Sequence, residues 1–128
     1  MMRLCKEEGV GVIPWSPLAR GRLTRDFDAV TQRMETDEYG KQLHRHLGDA
    51  DRKVVEAVAA VAAARGVPRA QVALSWVAHK SPVTAPIVGA SKPSQLEDAI
   101  AALSLHLTPQ ELEQLEAPYV PHDVIGFT

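Results

Sequence analysis

The chain has 128 residues, of which 45% are hydrophobic and 23% charged, with a formal net charge of −2. That is the size and balance of one ordinary globular domain, and the charge excludes the basic field that nucleic-acid binding requires. A single cysteine, Cys5, permits no internal disulfide, and no apolar run approaches a membrane span, so a cytoplasmic protein with no membrane partner is expected.

Residues 1–9 read as the last turns of a helix stopped by Gly9, an unusual beginning for a domain and a reason to expect further chain upstream. Residues 10–14 form a β-branched run predicted to be a buried parallel strand, with Pro14 at its end, where a lost ladder donor costs least. Residues 15–23 are a loop punctuated by Pro and Gly, and 24–50 are a polar excursion from the core with one helix near 37–47. Asp51 is predicted to cap a helix over 52–65 that Gly66 ends, with Val54, Val55, Val58, Val61 and Ala62 as its apolar stripe. Pro68 opens another helix to about His79, burying Val72, Ala73, Leu74 and Trp76 to differing degrees. A second short buried strand follows over 84–88, then the loop Gly89-Ala90-Ser91-Lys92, and Pro93 starts a helix to about Leu103. Thr108-Pro109-Gln110-Glu111 is a capping box with proline at the first helical position, opening a helix to about Ala117; 118–128 are irregular. Strand, loop and helix repeated in this order define an α/β fold with parallel strands. Two such strands are too few for a sheet covered on both faces, so the fold needs more of them.

The two strand-to-helix loops carry the chemistry. Ser91 supplies a hydroxyl and Lys92 a compact charge beside the amides and dipole of the helix that starts at Pro93, a combination suited to a phosphate monoester. A serine there serves equally as a helix cap, and a lysine as ordinary surface charge. Past the first strand, residues 16–21 offer backbone amides, the Ser16 hydroxyl and the Arg20 guanidinium, and the Trp15 indole can stack on a flat ring. Trp15 plugging a barrel mouth, with Arg20 in solvent, is the plainer alternative. Loops after the last two strands often build the phosphate site of (β/α)8 barrels.

Trp15-Ser16-Pro17-Leu18-Ala19-Arg20-Gly21, with its flanks over 9–24, resembles the seventh strand and following loop of aldo-keto reductases. Residues 87–99, around Gly89-Ala90-Ser91-Lys92-Pro93, resemble their eighth strand and adenosine-phosphate loop, and 67–77 the helix before it. The ending over 108–127 is similar to one bacterial branch of the family, so the resemblance covers nearly the whole chain in order. It implies the C-terminal portion of a (β/α)8 TIM barrel, two short parallel strands with surrounding helices. Residues 1–128 would form part of one NADP-dependent oxidoreductase domain, with 24–50 as an excursion within it. It further implies that Trp15 meets the nicotinamide, and that Ser16, Leu18 and Arg20 lie along the pyrophosphate and its ribose. Ser91 and Lys92 would meet the adenosine 2′-phosphate, favouring NADP over NAD, and Gln95 and Asp98 would approach the adenosine. Ala99 stands where many members carry an Asn that holds adenine, and Gln95 where some branches carry Arg, so Lys92 is expected to dominate the 2′-phosphate preference.

Members of this family reduce carbonyls with a Tyr acid supported by Lys, Asp and His, all from the first half of the barrel. Neither Tyr39 nor Tyr119 falls at such a position, nor do His44, His46, His79, His106 and His122. His44 and His46 are two apart, so a helix would point them in different directions and no metal pair is expected. The implied function is the cofactor-binding part of an NADP-dependent aldo-keto reductase, which passes hydride between NADPH and an aldehyde or ketone. No catalytic residue is expected in this chain, and alone it should be inactive. A carbonyl substrate is expected only once the missing barrel half is supplied, and uncovered sheet edges favour self-association. The competing readings are a non-catalytic nucleotide-binding regulatory protein and an unstable truncated gene product.

Overall fold

Helix boundaries in the chain follow local chemistry, and the computed structural model describes them over residues 1–31, 35–40 and 48–121. Helix α1, Met2–Glu7, is followed by Gly9 in the left-handed region. There the Val10 and Gly9 amides donate back to Cys5 and Lys6 carbonyls, the paired bonds that stop a helix. Helix α2 spans Asp49–Arg65, three residues earlier than its predicted start. Gly48, not Asp51, is the N-cap, and the Asp51 carboxylate reaches back to accept from the Gly48 amide at 2.8 Å. Asp51 thus satisfies the helix start from inside the first turn rather than from its edge. Gly66 ends α2 at φ 65°, a conformation that costs other residues about 1–2 kcal/mol.

Helix α3, Arg69–Ala78, follows Pro68, and α4, Pro93–Ser104, has proline at its first turn as predicted. Helix α5, Pro109–Glu116, carries both arms of the expected capping box: the Thr108 amide donates to Glu111 Oε2 at 2.7 Å, and Thr108 Oγ1 accepts from the Glu111 amide at 3.3 Å.

The core sits between these helices. Val55, Val58, Val61 and Ala62 bury one face of α2 at the spacing of an amphipathic helix, while Val54 is only half-buried. Val72, Ala73, Leu74 and Ser75 are buried in succession, so α3 is enclosed on several sides. It packs on α4 and α2, α2 packs on α5, and Leu115 of α5 joins the cluster of Val58, Val61, Ala62, Val72 and Ala73. Among the described residues the one buried polar side chain of the core, Ser75, donates its hydroxyl to the Leu105 carbonyl just past α4, so its burial leaves no unmet donor.

Arg65 forks onto Glu111 at 2.5 and 2.6 Å and donates to the His106 carbonyl at 3.1 Å, fixing α5 to the end of α2. This guanidinium, then the Thr108 amide, holds the Glu111 carboxyl at about 2, below its ordinary 4.5. A carboxylate with a lowered folded-state pKa stabilises fully above its unfolded value and loses that contribution as pH falls toward the folded one. Glu111→Ala is expected to lower the melting temperature at pH 7 by roughly 5 °C, and its gap from the parent chain should close between pH 4.5 and 2. A gap unchanged at pH 2 would show that Glu111 acts by packing alone.

The two extended segments depart from expectation. They do run parallel, through the bridges Val12 to Val83 and Trp15 to Ile87, with Thr84 and Ile87 amides donating at 2.8 Å to the Val12 and Pro14 carbonyls. Neither forms a continuous strand among the described residues, because Pro14 and Pro86 remove ladder donors and no third segment pairs with them. Nor are they buried: Ile13 is 63% and Ile87 53% exposed. On α4, Leu96, Ile100 and Leu103 form a second exposed apolar stripe at helical spacing. These surfaces have the composition of a core and lie uncovered.

Of the excursion, Asp26 pairs with Arg69 at 2.7 Å and Asp28 with Arg52 at 2.6 and 2.8 Å, tying 26–28 to the starts of α3 and α2. The Arg52 guanidinium also covers the Phe27 ring at 4.6 Å. Helical turns occur at 35–36 and 38–40; the rest of the helix expected near 37–47, with His44 and His46, lies outside the described residues, as do His122 and the tail over 122–128. No helix among the described residues is long and apolar enough to cross a membrane.

Candidate functional site

The ends of the two extended segments and the starts of α3 and α4 enclose a groove of about 700 Å³. Its wall includes Trp15, Ser16, Leu18 and Arg20 from the first loop and Ser91, Gln95 and Asp98 from the second. Every expected cofactor-binding residue except Lys92 therefore lines one space. Lys92 is the N-cap of α4 and is exposed beside it. The volume lies within the range of small-molecule and cofactor sites, about 300–1,000 Å³.

The first loop is strained. Ser16, Ala19 and Arg20 hold φ of 52, 48 and 56°, a left-handed conformation uncommon for residues with a side chain. Among the described residues this strain at residues other than glycine is confined to the stretch that the sequence singles out, the usual company of a ligand-binding loop. The 3-10 turn Ala19–Thr24 carries it, interrupted at Arg20 and Gly21. Gly21 is favoured there by its φ of 90°, whereas the Arg25 guanidinium, 2.2 Å from where a Cβ would lie, is the movable end of a flexible side chain.

Charge gathers on this wall. Arg20, Arg25 and Arg69 line the groove against one carboxylate, Asp98, which accepts from the Gln71 amide at 2.8 Å and so links α4 to α3. Beside the wall, burial and then the neighbouring Arg25 charge lower the Arg22 guanidinium below its ordinary value. Arg20 is bound by Asp37 through Nε at 2.7 Å and through Nη2, and the Gly40 amide donates to the other Asp37 oxygen at 2.9 Å. Their side chains are only 21% and 17% exposed, and Tyr39 lies 5.8 Å from the same guanidinium. The excursion thus returns to place a carboxylate on the arginine that the sequence offers to a phosphate.

The second loop also differs from its sequence reading. Gln95 Oε1 accepts from the Ser91 amide at 2.8 Å, the Ser91 hydroxyl at 3.2 Å and the Lys92 amide at 3.3 Å. The donors expected to be available to an anion are held by the side chain of the helix they precede. Arg25 and Arg69 are the wall cations that the sequence reading did not include. Arg25 continues a basic run at Arg20 and Arg22, a usable signal; Arg69 reads in sequence as an ordinary exposed first-turn residue. Among the described residues, no group of His, Cys, Asp and Glu is arranged to hold a metal.

The chain matches the Aldo/keto reductase family over residues 1–119. It belongs to that family. A Schizosaccharomyces pombe protein, provisionally named an aryl-alcohol dehydrogenase, is 41% identical over 98% of the chain, which covers 35% of that relative. Versiconal hemiacetal acetate reductase of Aspergillus parasiticus is 35% identical over 94% of the chain and 36% of its own length. An aldo-keto reductase of Fusarium vanettenii is 38% identical over 98% of the chain and 34% of its own length. The chain spans about a third of the length of the curated relatives it matches.

Proposed function

We propose that this chain is the dinucleotide-binding, C-terminal portion of a (β/α)8 aldo/keto oxidoreductase that uses NADP. The convergence of Trp15, Ser16, Leu18, Arg20, Ser91, Gln95 and Asp98 on one groove, in a chain of this family, carries the reading. The donor set fits a dinucleotide. Trp15 and Ile87 give a flat apolar end, and the guanidinium-rich wall suits phosphates. When bound, the nicotinamide supplies hydride chemistry toward an aldehyde or ketone. The chain's own residues would orient the ring against Trp15 and hold the pyrophosphate and its ribose alongside Ser16, Leu18 and Arg20. The exposed Ile13, Ile87 and α4 stripe suit contact with the remainder of a barrel, or with a second copy where that remainder is missing.

A specific observation favours non-catalytic binding by the isolated chain: among the described residues, neither Tyr39 nor Tyr119 lines the groove.

Fluorescence tests the reading. The chain has two tryptophans, and Trp76 is engaged elsewhere, donating to Glu116 at 2.9 Å with Lys80 over its ring. NADPH is expected to quench emission saturably in the Trp76→Phe variant and not in Trp15→Phe. No saturable quench, or equal quench in both variants, would overturn the assignment of this groove.

A further inference from the structure

Arg69 is the one groove-lining cation whose guanidinium contains a nitrogen that is both sealed from water and without a hydrogen-bond partner among the described residues. Its Nη2 donates to Asp26 Oδ1 at 2.7 Å; its Nη1 is the orphan. A buried donor on a charged group that meets no acceptor is a standing cost, and an arriving acceptor relieves it. The existing partner holds weakly, because the Asp26 side chain is 83% exposed and its attraction is screened by water and salt. The other wall cations are better engaged. Arg20 sits in the low-exposure pair with Asp37, and Arg25 donates to the Gly21 carbonyl at 2.8 Å and to Thr31 Oγ1 at 2.9 Å. The amides at the start of α4 are taken by Gln95, and Lys92 lies outside the wall.

We infer that Arg69 is a phosphate-binding residue of the dinucleotide site. Its guanidinium turns from Asp26 into the groove, and its two terminal nitrogens fork onto phosphate oxygens, the planar recognition for which arginine is suited. The inference rests on the reading of this groove as an NADP site. Two sources offer the same chemistry: the pyrophosphate, common to NADPH and NADH, and the 2′-phosphate, present only in NADPH.

Calorimetric titration of the 128-residue chain with each dinucleotide tests it. Arg69→Gln is expected to weaken NADPH binding at least about tenfold, the loss of one charge-assisted hydrogen bond, and Arg69→Lys to recover part of it. An equal loss for NADH locates the contact at the pyrophosphate, and a loss confined to NADPH locates it at the 2′-phosphate. Asp26→Asn separates binding from structure. It releases Arg69 and should bind NADPH at least as tightly as the parent, whereas a merely structural Arg69–Asp26 pair would make both variants weaken alike. Unchanged affinity in Arg69→Gln, or parallel weakening in Asp26→Asn, overturns the assignment while leaving the NADP site standing. A parent chain that binds neither dinucleotide overturns both.

Discussion

The purified chain is expected to bind NADPH and to leave it unoxidised when an aldehyde is added. Hydride arriving at a carbonyl carbon drives negative charge onto the oxygen, so turnover needs an acid placed at that oxygen; such positioned acids contribute about 10²- to 10⁴-fold. Donors that stabilise the oxyanion contribute about 10²- to 10³-fold more. The chain has two phenols. Tyr39 lies against the Arg20 guanidinium and Tyr119 is exposed beyond α5, and neither lines the groove. Loss of NADPH absorbance with 4-nitrobenzaldehyde should match the protein-free rate, both in the parent chain and in Tyr39→Phe. Saturable, aldehyde-dependent oxidation that falls in Tyr39→Phe would show that the excursion brings its own acid to the site. Calorimetry on the same preparation separates an inactive binder from a protein that does not bind.

The second large effect concerns the seat of α3. Val72 has 0% exposure on a helix packed against α2 and α4, in the cluster that Leu115 of α5 joins, and the backbone that carries it also presents Arg69 to the groove. Val72→Ala removes two methyl groups from a packed interior and should cost about 2–3 kcal/mol in urea unfolding, combining the transfer and cavity contributions. Val72→Asp adds a charge with no partner at a dry site, which costs several kcal/mol unless the carboxyl is protonated, and should abolish the cooperative melt at pH 7. Val30→Asp, at an exposed position, serves as the control and should change stability by less than about 0.5 kcal/mol. Equal behaviour of Val72→Asp and Val30→Asp would mean that the α2–α3–α5 cluster does not hold the fold together.

What could be read from the sequence was mostly local. Thr108 and Glu111 lie within one turn of each other, so their reciprocal cap is visible in the order of residues, as are the stop at Gly66 and the start at Pro93. The cap of α2 lies three residues before the position its sequence suggests, because Gly48 has no side chain to announce it, while Asp51 does. The two extended segments were recognisable by their β-branched residues. Their exposure was not, because burial depends on what lies across from them, and nothing within 10–14 or 84–88 encodes that. The same distinction holds at the site. Trp15, Ser16, Arg20 and Ser91 group because they follow two similar strand ends, and Leu18, Gln95 and Asp98 join them only through the family resemblance. The contact between Asp37 and Arg20 bridges a separation of 17 residues across a segment with no periodic pattern. Gln95 was legible as a wall residue, but its capture of the Ser91 and Lys92 amides depends on one rotamer. Arg69 gained its significance only when the groove closed around it.

The bond from the Ile87 amide to the Pro14 carbonyl, 2.8 Å long, lies immediately before Trp15 on one side and two residues before Gly89 on the other. It therefore joins the two walls of the groove at the level of Trp15. No other ladder bond among the described residues crosses at that level, since the next one, from Thr84 to Val12, lies deeper. The spacing between Trp15 and the Ser91 loop is thus set by one amide and the helices behind it.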